Sequence, residues 1–271
     1  MEFDNLGSVA YHDTTMFALI SDIHSNLEAL TAVLADAEQR GVSTFYCLGD
    51  VIGYGPDPCA CLDLIMERTS ECILGNHDCA VLYEPTRFNQ GAEQAAYWTR
   101  AQLEAEPDPA LQARRWEFLS TRPVSKRLDG ADVGAREILL AHGSPRRPIN
   151  EYLFPDDIYT APAKLTSAMS RVEHLCFVGH THVPGVFTEK GVFLNPADMN
   201  QTYEFTGDKA IINAGSVGQP RDRDPRAGYV IVSKQQVQFI RVPYDVEATK
   251  QKVLLADGLN DFLGERLIDG R

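Results

Sequence analysis

A short apolar run that ends at a polar residue, in four cases beside glycine, occurs six times in this chain, and the repetition leaves few folds open. The runs are MFALIS ending at Asp22, TFYCL ending at Gly49 and Asp50, ECIL before Gly75 and Asn76, EILLA ending at His142, HLCFV before Gly179 and His180, and AII ending at Asn213. Runs of this length, continuous in apolar character and bounded by glycine, fit strands covered on both faces. The cover is helical. From Asn26 to Arg40, apolar side chains recur at Leu27, Leu30, Val33, Leu34 and Ala37, with Ser25 or Asn26 as N-cap and Gly41 at the stop.

Strand, helix and strand in alternation imply an α/β fold, whose functional groups gather beyond the carboxyl ends of the strands. The polar tips are therefore expected to converge. Between about 80 and 123 the chain turns rich in Ala, Leu, Gln, Glu and Arg, which predicts a helical insertion near the site. GYVIVS and QVQFIRV, separated by Lys234 and Gln235, read as a hairpin and suggest a second, partly antiparallel sheet. The remainder divides into an N-terminal polar segment, 1–14, and a helical tail, 245–271. Because the polar tips and the supporting strands span almost everything between, residues 15–244 are read as one domain.

Composition narrows the function classes. The 271 residues are 44% hydrophobic and 23% charged, an ordinary globular balance that excludes disorder as the main state. A formal charge of −13 repels nucleic-acid backbones and anionic membranes, so general nucleic-acid binding is not expected. The six cysteines form no CxxC pair and are read as reduced thiols. With no basic leader and no apolar stretch of membrane-spanning length, the expectation is a cytoplasmic protein.

The strand tips carry Asp22 and His24 (SDIH), Asp50 (LGD), Asn76, His77 and Asp78 (GNHD), His142 (AHG), and His180 and His182 (GHTH). Carboxylates and imidazoles suit Mn, Fe, Zn, Co or Ni, and no cysteine stands at a matching tip. Seven candidate ligands are too many for one tetrahedral ion, but they suit two divalent ions about 3.5–4 Å apart that share a carboxylate. A bridging hydroxide between such ions attacks a phosphoryl group in line, so the chemistry expected is hydrolysis of a phosphate ester.

In this order, DxH, GD, GNHD, a later His and GHTH resemble the calcineurin-like metallophosphoesterase superfamily. NAGSVGQPR (213–221) is similar to the NPGS segment of its bacterial phosphodiesterase branch. The resemblance implies a four-layer α/β/β/α sandwich of two mixed sheets with flanking helices. It also implies that Asp22, His24 and His182 hold one ion, that Asn76, His142 and His180 hold the other, and that Asp50 bridges them, with manganese the leading metal. His77 would be the catalytic residue, stabilising developing charge and protonating the leaving oxygen.

One departure is informative. The protein-phosphatase branch follows GD with a VDRG-like stretch whose Asp orients the catalytic histidine, whereas this chain has GDVIGYG, with Gly53 at that place. Asp78 or a backbone carbonyl is the expected substitute. Arg221 is the candidate substrate-binding residue, since a planar guanidinium matches phosphate oxygens. Asn213 and Ser216 are read as turn-shaping, Tyr54 and the Tyr97, Trp98 and Trp116 stripe as packing, and His12 and His174 as without function.

The reading is thus a dinuclear-metal phosphodiesterase acting on a small anionic phosphodiester or nucleotide. A phosphomonoesterase or protein phosphatase is the alternative. A third is a scaffold with a vestigial metal pocket, like the retromer subunit of this fold. That subunit lacks the catalytic histidine, whereas His77 is present here.

Overall fold

The computed structural model describes residues 16–271; the segment 1–14, with His12, lies outside the described residues. The described chain opens with β1 (Met16–Ile20), α1 (Leu27–Gln39), β2 (Phe45–Cys47), α2 (Pro58–Arg68) and β3 (Glu71–Cys72). Three helices follow, α3 (Asn76–Leu82), α4 (Gln90–Glu104) and α5 (Pro109–Thr121), and then β4 (Ser125–Asp129) and β5 (Glu137–Ala141). Next come α6 (Asp157–Thr160), α7 (Pro162–Met169), β6 (Leu175–Val178), β7 (Gly185–Thr188), β8 (Phe193–Leu194), β9 (Thr202–Glu204) and β10 (Ala210–Asn213). The hairpin of β11 (Ala227–Ser233) and β12 (Gln236–Val242) leads into α8 (Val246–Leu255), α9 (Phe262–Glu265) and a 3-10 turn at Arg266–Asp269.

The strands form two six-stranded mixed sheets, ordered β3-β2-β1-β11-β12-β9 and β4-β5-β6-β10-β7-β8. In the first, β1, β2 and β3 run parallel; in the second, β5, β6 and β10 do. All six strands read from the sequence are present, three in each sheet.

Alternation along each strand explains the layering, since successive side chains face opposite ways. Phe17 and Leu19 of β1 and Val230 and Val232 of β11 meet Leu140, Phe177 and Ile212 of the other sheet. Ala18 and Ile20 point outward onto Leu30 and Val33 of α1. On the far side, Leu139, Ala141, Val178 and Ile211 pack on Leu165 and Ala168 of α7. Truncating an inter-sheet side chain such as Phe177 to alanine is a cavity-forming change of about 3–5 kcal/mol. The layers are therefore α/β/β/α.

Helix α1 follows its sequence signals. Asn26 Oδ1 accepts from Ala29 N at 3.1 Å, and Ala29, Leu30, Val33, Leu34 and Ala37 are buried. Gly41 adopts φ +86°, which closes the helix in the left-handed region.

Two expectations change. The late hairpin does not nucleate a second sheet; β11 pairs antiparallel with β1, so it completes the first sheet. Of the expected packing stripe, Trp98 and Trp116 pack against buried clusters, whereas Tyr97 is 44% exposed and donates its hydroxyl to Glu84. His174 does serve structure, taking a hydrogen bond from Arg136 N on Nδ1. All six cysteines are free thiols. Among the described residues no helix is long and apolar enough to cross a membrane.

Candidate metal centre and active site

Each parallel strand delivers its polar residue at its carboxyl end. Asp22 and His24 follow β1, Asp50 follows β2, and Asn76 and His77 begin α3 after β3. His142 follows β5, His180 and His182 follow β6, and the 214–221 loop follows β10. The two sheets thus contribute to one point from opposite sides.

The backbone there is strained. Asp22, His24, Asp50, His180 and His182 all have φ between 49° and 66°, as do Ser25 and Tyr54 beside them. A non-glycine residue in the left-handed region costs of order 1–2 kcal/mol, and such strain concentrates at functional sites. The crossing of two loops needs a glycine: a Cβ on Gly75 would lie on the Asp50 carboxylate and backbone.

Two triplets, Asp22–His24–His182 and Asp50–His142–His180, each have ligand atoms within 4.8 Å of one another, and His24–Asp50–His77 forms a third that shares one residue with each. His142 Nδ1–H donates to Leu48 O at 2.9 Å, which turns Nε2 toward the centre. That nitrogen lies 3.0 Å from Asn76 Oδ1, 3.2 Å from His180 Nδ1 and 3.3 Å from Asp50 Oδ2. In the other triplet His182 Nδ1–H donates to Gln219 O, and its Nε2 lies 3.3 Å from His24 Nε2 and 3.2 Å from Asp22 Oδ1. Four imidazoles, two carboxylates and an amide oxygen thus crowd together in a buried pocket, a donor set suited to divalent cations. The residues therefore fit two metal ions, with Asp50 Oδ2 also 3.7 Å from His24 Nε2 and so facing both triplets.

Charge follows the same pattern. Burial opposes the charge of Asp22 and of Asp50, but the surrounding imidazoles together, led by His182 for the first and by His142 for the second, hold both carboxyls below the ordinary range. Burial also opposes protonation of His142, yet Asp50 and Asp22 raise it to about 9. The other imidazoles go down: His180 to about 3 through burial and His142, His182 through burial and Arg221, and His24 chiefly through burial.

His77 stands beside the first two triplets, its ring 4.8 Å from that of His24 and flanked by Tyr54 at 4.2 Å and Phe88 at 4.7 Å. Its backbone N–H donates to Asp50 Oδ1 at 2.7 Å. Burial pushes the imidazole down to about 4, against Asp50. Its Nδ1 is buried and has no hydrogen-bond partner, so neither Asp78 nor a backbone carbonyl orients it.

The space that an orienting carboxylate would need is closed. A Cβ on Gly53 would sit 2.6 Å from His77 Nδ1. Asp78 instead accepts from the backbone N–H groups of Asp50 (2.8 Å), Val51 (3.0 Å), Ile52 (3.3 Å) and Gly75 (3.0 Å). Burial and the Asp50 charge push Asp78 up to about 7, but four donors aimed at its two oxygens are served by the carboxylate form. Asp78 is a brace for the Asp50 loop.

The loop after β10 behaves as read. Asn213 Nδ2 donates to Gly179 O at 2.6 Å, and Ser216 Oγ donates to Asp22 O at 2.8 Å. Arg221 is half-buried and donates to the neutral Gln219 Oε1 at 2.7 Å. Arg266, from the C-terminal turn, lies over the Phe262 ring and is pushed down to about 10 by burial and by Arg221. Arg221 has no carboxylate partner among the described residues, whereas Arg266 Nε donates to Arg271 O. No sequence signal singled out Arg266, because only the packing of the tail places it near Arg221.

An open cleft of about 650 Å³ lies over the centre, with Asn76, His77 and His180 in its lining. A comparable cavity, about 680 Å³, lies between Asn195, Gln201, Tyr229 and Arg241, and it contains none of the seven converged residues. Chemistry, not size, picks out the first.

Residues 16–236 match the description of a calcineurin-like phosphoesterase superfamily domain. An uncharacterized protein of Methanocaldococcus jannaschii is 36% identical over 262 residues, which cover 95% of this chain and 99% of that one. A metallophosphoesterase from Sphaerobacter thermophilus has a crystal structure similar to this one, with a TM-score of 0.77 at 35% identity over 95% of this chain and 100% of that one. A hypothetical protein from Pyrococcus horikoshii shares the fold, with a TM-score of 0.73 at 19% identity over 94% and 98% of the two chains.

Proposed function

The chain belongs to the calcineurin-like phosphoesterase superfamily, and on that premise we propose that it is a phosphodiesterase acting on a small anionic phosphodiester or nucleotide. The observation that carries the reading is the pair of buried Asp/His triplets joined at Asp50. Asp22, His24 and His182 would hold one divalent ion and Asn76, His142 and His180 the other, and the oxygen and nitrogen donors suit manganese. Ions bound there supply Lewis-acid stabilisation of the phosphoryl group and activation of water.

The remaining steps belong to the chain's own residues. His77, in the cleft lining, hydrogen-bonds a phosphoryl oxygen as charge develops; the substrate's anionic charge, by favouring the imidazolium against burial, is what would let it deliver a proton to the leaving oxygen. Arg221, with Arg266 behind it, offers N–H groups to a further anionic group of the substrate. The formal charge of −13 favours a compact anion, because a long polyanion would meet repulsion away from the centre. Gly53 disfavours the protein-phosphatase branch, and the presence of His77 disfavours a scaffold.

The test is a side-by-side assay with added manganese. An aryl phosphodiester, an aryl phosphomonoester and a phosphoserine peptide are compared by kcat/KM, with chelator as control. The diester is expected to give the largest value; turnover of the peptide alone would sink the reading.

A further inference from the structure

The cleft over the centre is walled by aromatic rings on a fixed loop. Tyr152 stacks on His180, with ring centroids 3.7 Å apart and planes 20° apart, and Phe154 lies parallel to Tyr152 at 5.3 Å and 5°. Tyr54 and Phe88 flank His77 within the same cleft. Tyr152 and Phe154 are 40% and 43% exposed, whereas Leu153 between them is buried in the outer core.

The loop that presents them is held on several sides. Arg146 forks onto Glu151, Ser144 Oγ donates to Glu151 Oε2 at 2.6 Å, Lys164 Nζ donates to Tyr152 O at 3.1 Å, and Phe154 N donates to Asp157 Oδ2 at 2.7 Å. Exposed rings whose backbone is already ordered are a low-entropy binding surface, since little freedom is lost when a partner stacks on them.

Polar groups sit around the rings. Asn150 is exposed at the rim, Asn89 keeps its Nδ2 donors while Oδ1 caps α4, and Arg87 supplies a cation. Among the described residues no Asp or Glu lines the cleft, in a chain that carries thirteen more acidic than basic side chains. Aromatic faces, amides and an absence of carboxylates suit a flat heteroaromatic group joined to an anion. An aliphatic diester would leave the rings without a partner.

We propose that the aromatic cleft lined by Tyr54, Phe88 and Tyr152, with Phe154 stacked against Tyr152, binds a nucleobase, so that the substrate of the adjacent centre is a nucleotide ester, not a glycerol-type diester. The inference rests on the phosphoester reading above. It adds a specificity determinant contributed by the 150–154 segment, which lies outside every metal motif.

The experiment is a calorimetric titration of the manganese-supplied full chain. The ligands are an adenosine phosphonate, with methylene replacing the bridging ester oxygen so that no hydrolysis occurs, and the ribose phosphonate without the base. Stacking of a base on aromatic side chains predicts that the adenosine ligand binds about 5- to 150-fold more tightly. Tyr152→Leu is expected to abolish this preference. Phe154→Ala, which leaves the contact with His180 in place, is expected to reduce it, with ribose phosphonate binding and manganese content unaltered. Equal affinities in the wild type, or a preference that survives both variants, would overturn the nucleobase assignment while leaving the phosphoester reading in place. Failure of both ligands to bind would count against that reading and this inference together.

Discussion

Replacing Asp78 by asparagine is expected to destabilise the fold, not to disarm His77. In the wild type, four backbone N–H groups from two loops point at the Asp78 carboxylate, which is 1% exposed. An asparagine keeps one oxygen for two of these donors and turns its own NH2 toward the other two. Each buried donor left unmatched costs about 1–3 kcal/mol, so the variant is expected to lose about 2–6 kcal/mol. For a chain of this length that corresponds to a fall in Tm of roughly 4–24 °C. The measurement is thermal or urea denaturation of chelator-treated protein, so that metal binding does not mask the loss. Had Asp78 oriented His77, the variant would lose turnover at unchanged stability. A Tm within about 1 °C of wild type, together with reduced kcat, would refute the brace and restore that role.

Four further outcomes are expected. His77→Ala lowers kcat by about 10²–10⁴-fold with metal content by atomic emission unchanged; equal turnover would remove His77 from the mechanism. Gly53→Ala places a Cβ against His77 Nδ1 at a backbone φ of +91°, so kcat is expected to fall with metal content unchanged. Arg266→Gln raises KM about tenfold or more while changing kcat little, as loss of a charge-assisted contact worth about 1.5–3 kcal/mol implies. Arg146 hydrogen bonding, against burial and aided by Ser144, holds Glu151 below its usual 4.5. A depressed folded pKa gives stability that is present above the unfolded value and lost as pH falls through the folded one. Urea midpoints of Glu151→Gln should therefore fall less steeply than wild type as pH drops below about 4.5.

The six strands and the seven converged side chains were legible because both signals are local: an apolar run and the residue that ends it. Asp22, Asp50 and His142 could be placed at strand tips without knowing which strands are neighbours. Pairing was not legible. The β11–β12 hairpin lies beside β1, and nothing in GYVIVS distinguishes a partner two hundred residues away from a sheet of its own. Edge strands such as β8, two residues long, and the polar β4 carry no run to detect. The bracing role of Asp78 was not legible for a related reason: its sequence neighbour is His77, but its hydrogen-bond partners come from the loop after β2. Arg266 depends on the packing of the tail, and the aromatic cleft depends on Tyr152 meeting His180 across the second sheet.

The strain and the buried charge of the centre have one compensation in common. Five of the seven proposed ligands occupy the left-handed region, and two buried carboxylates crowd against imidazoles whose ring nitrogens lie 3.2–3.3 Å apart. No local sequence preference favours that arrangement; the two packed sheets impose it, because their parallel strands end at the same place. Cations at the two triplets would hold these crowded groups together, so metal binding and the folding of the strand tips are linked. The same linkage explains why residues remote from the chemistry matter to it. Asp78 fixes the loop that carries Asp50, and Ser216 and Asn213 fix the loops that carry Asp22 and His180.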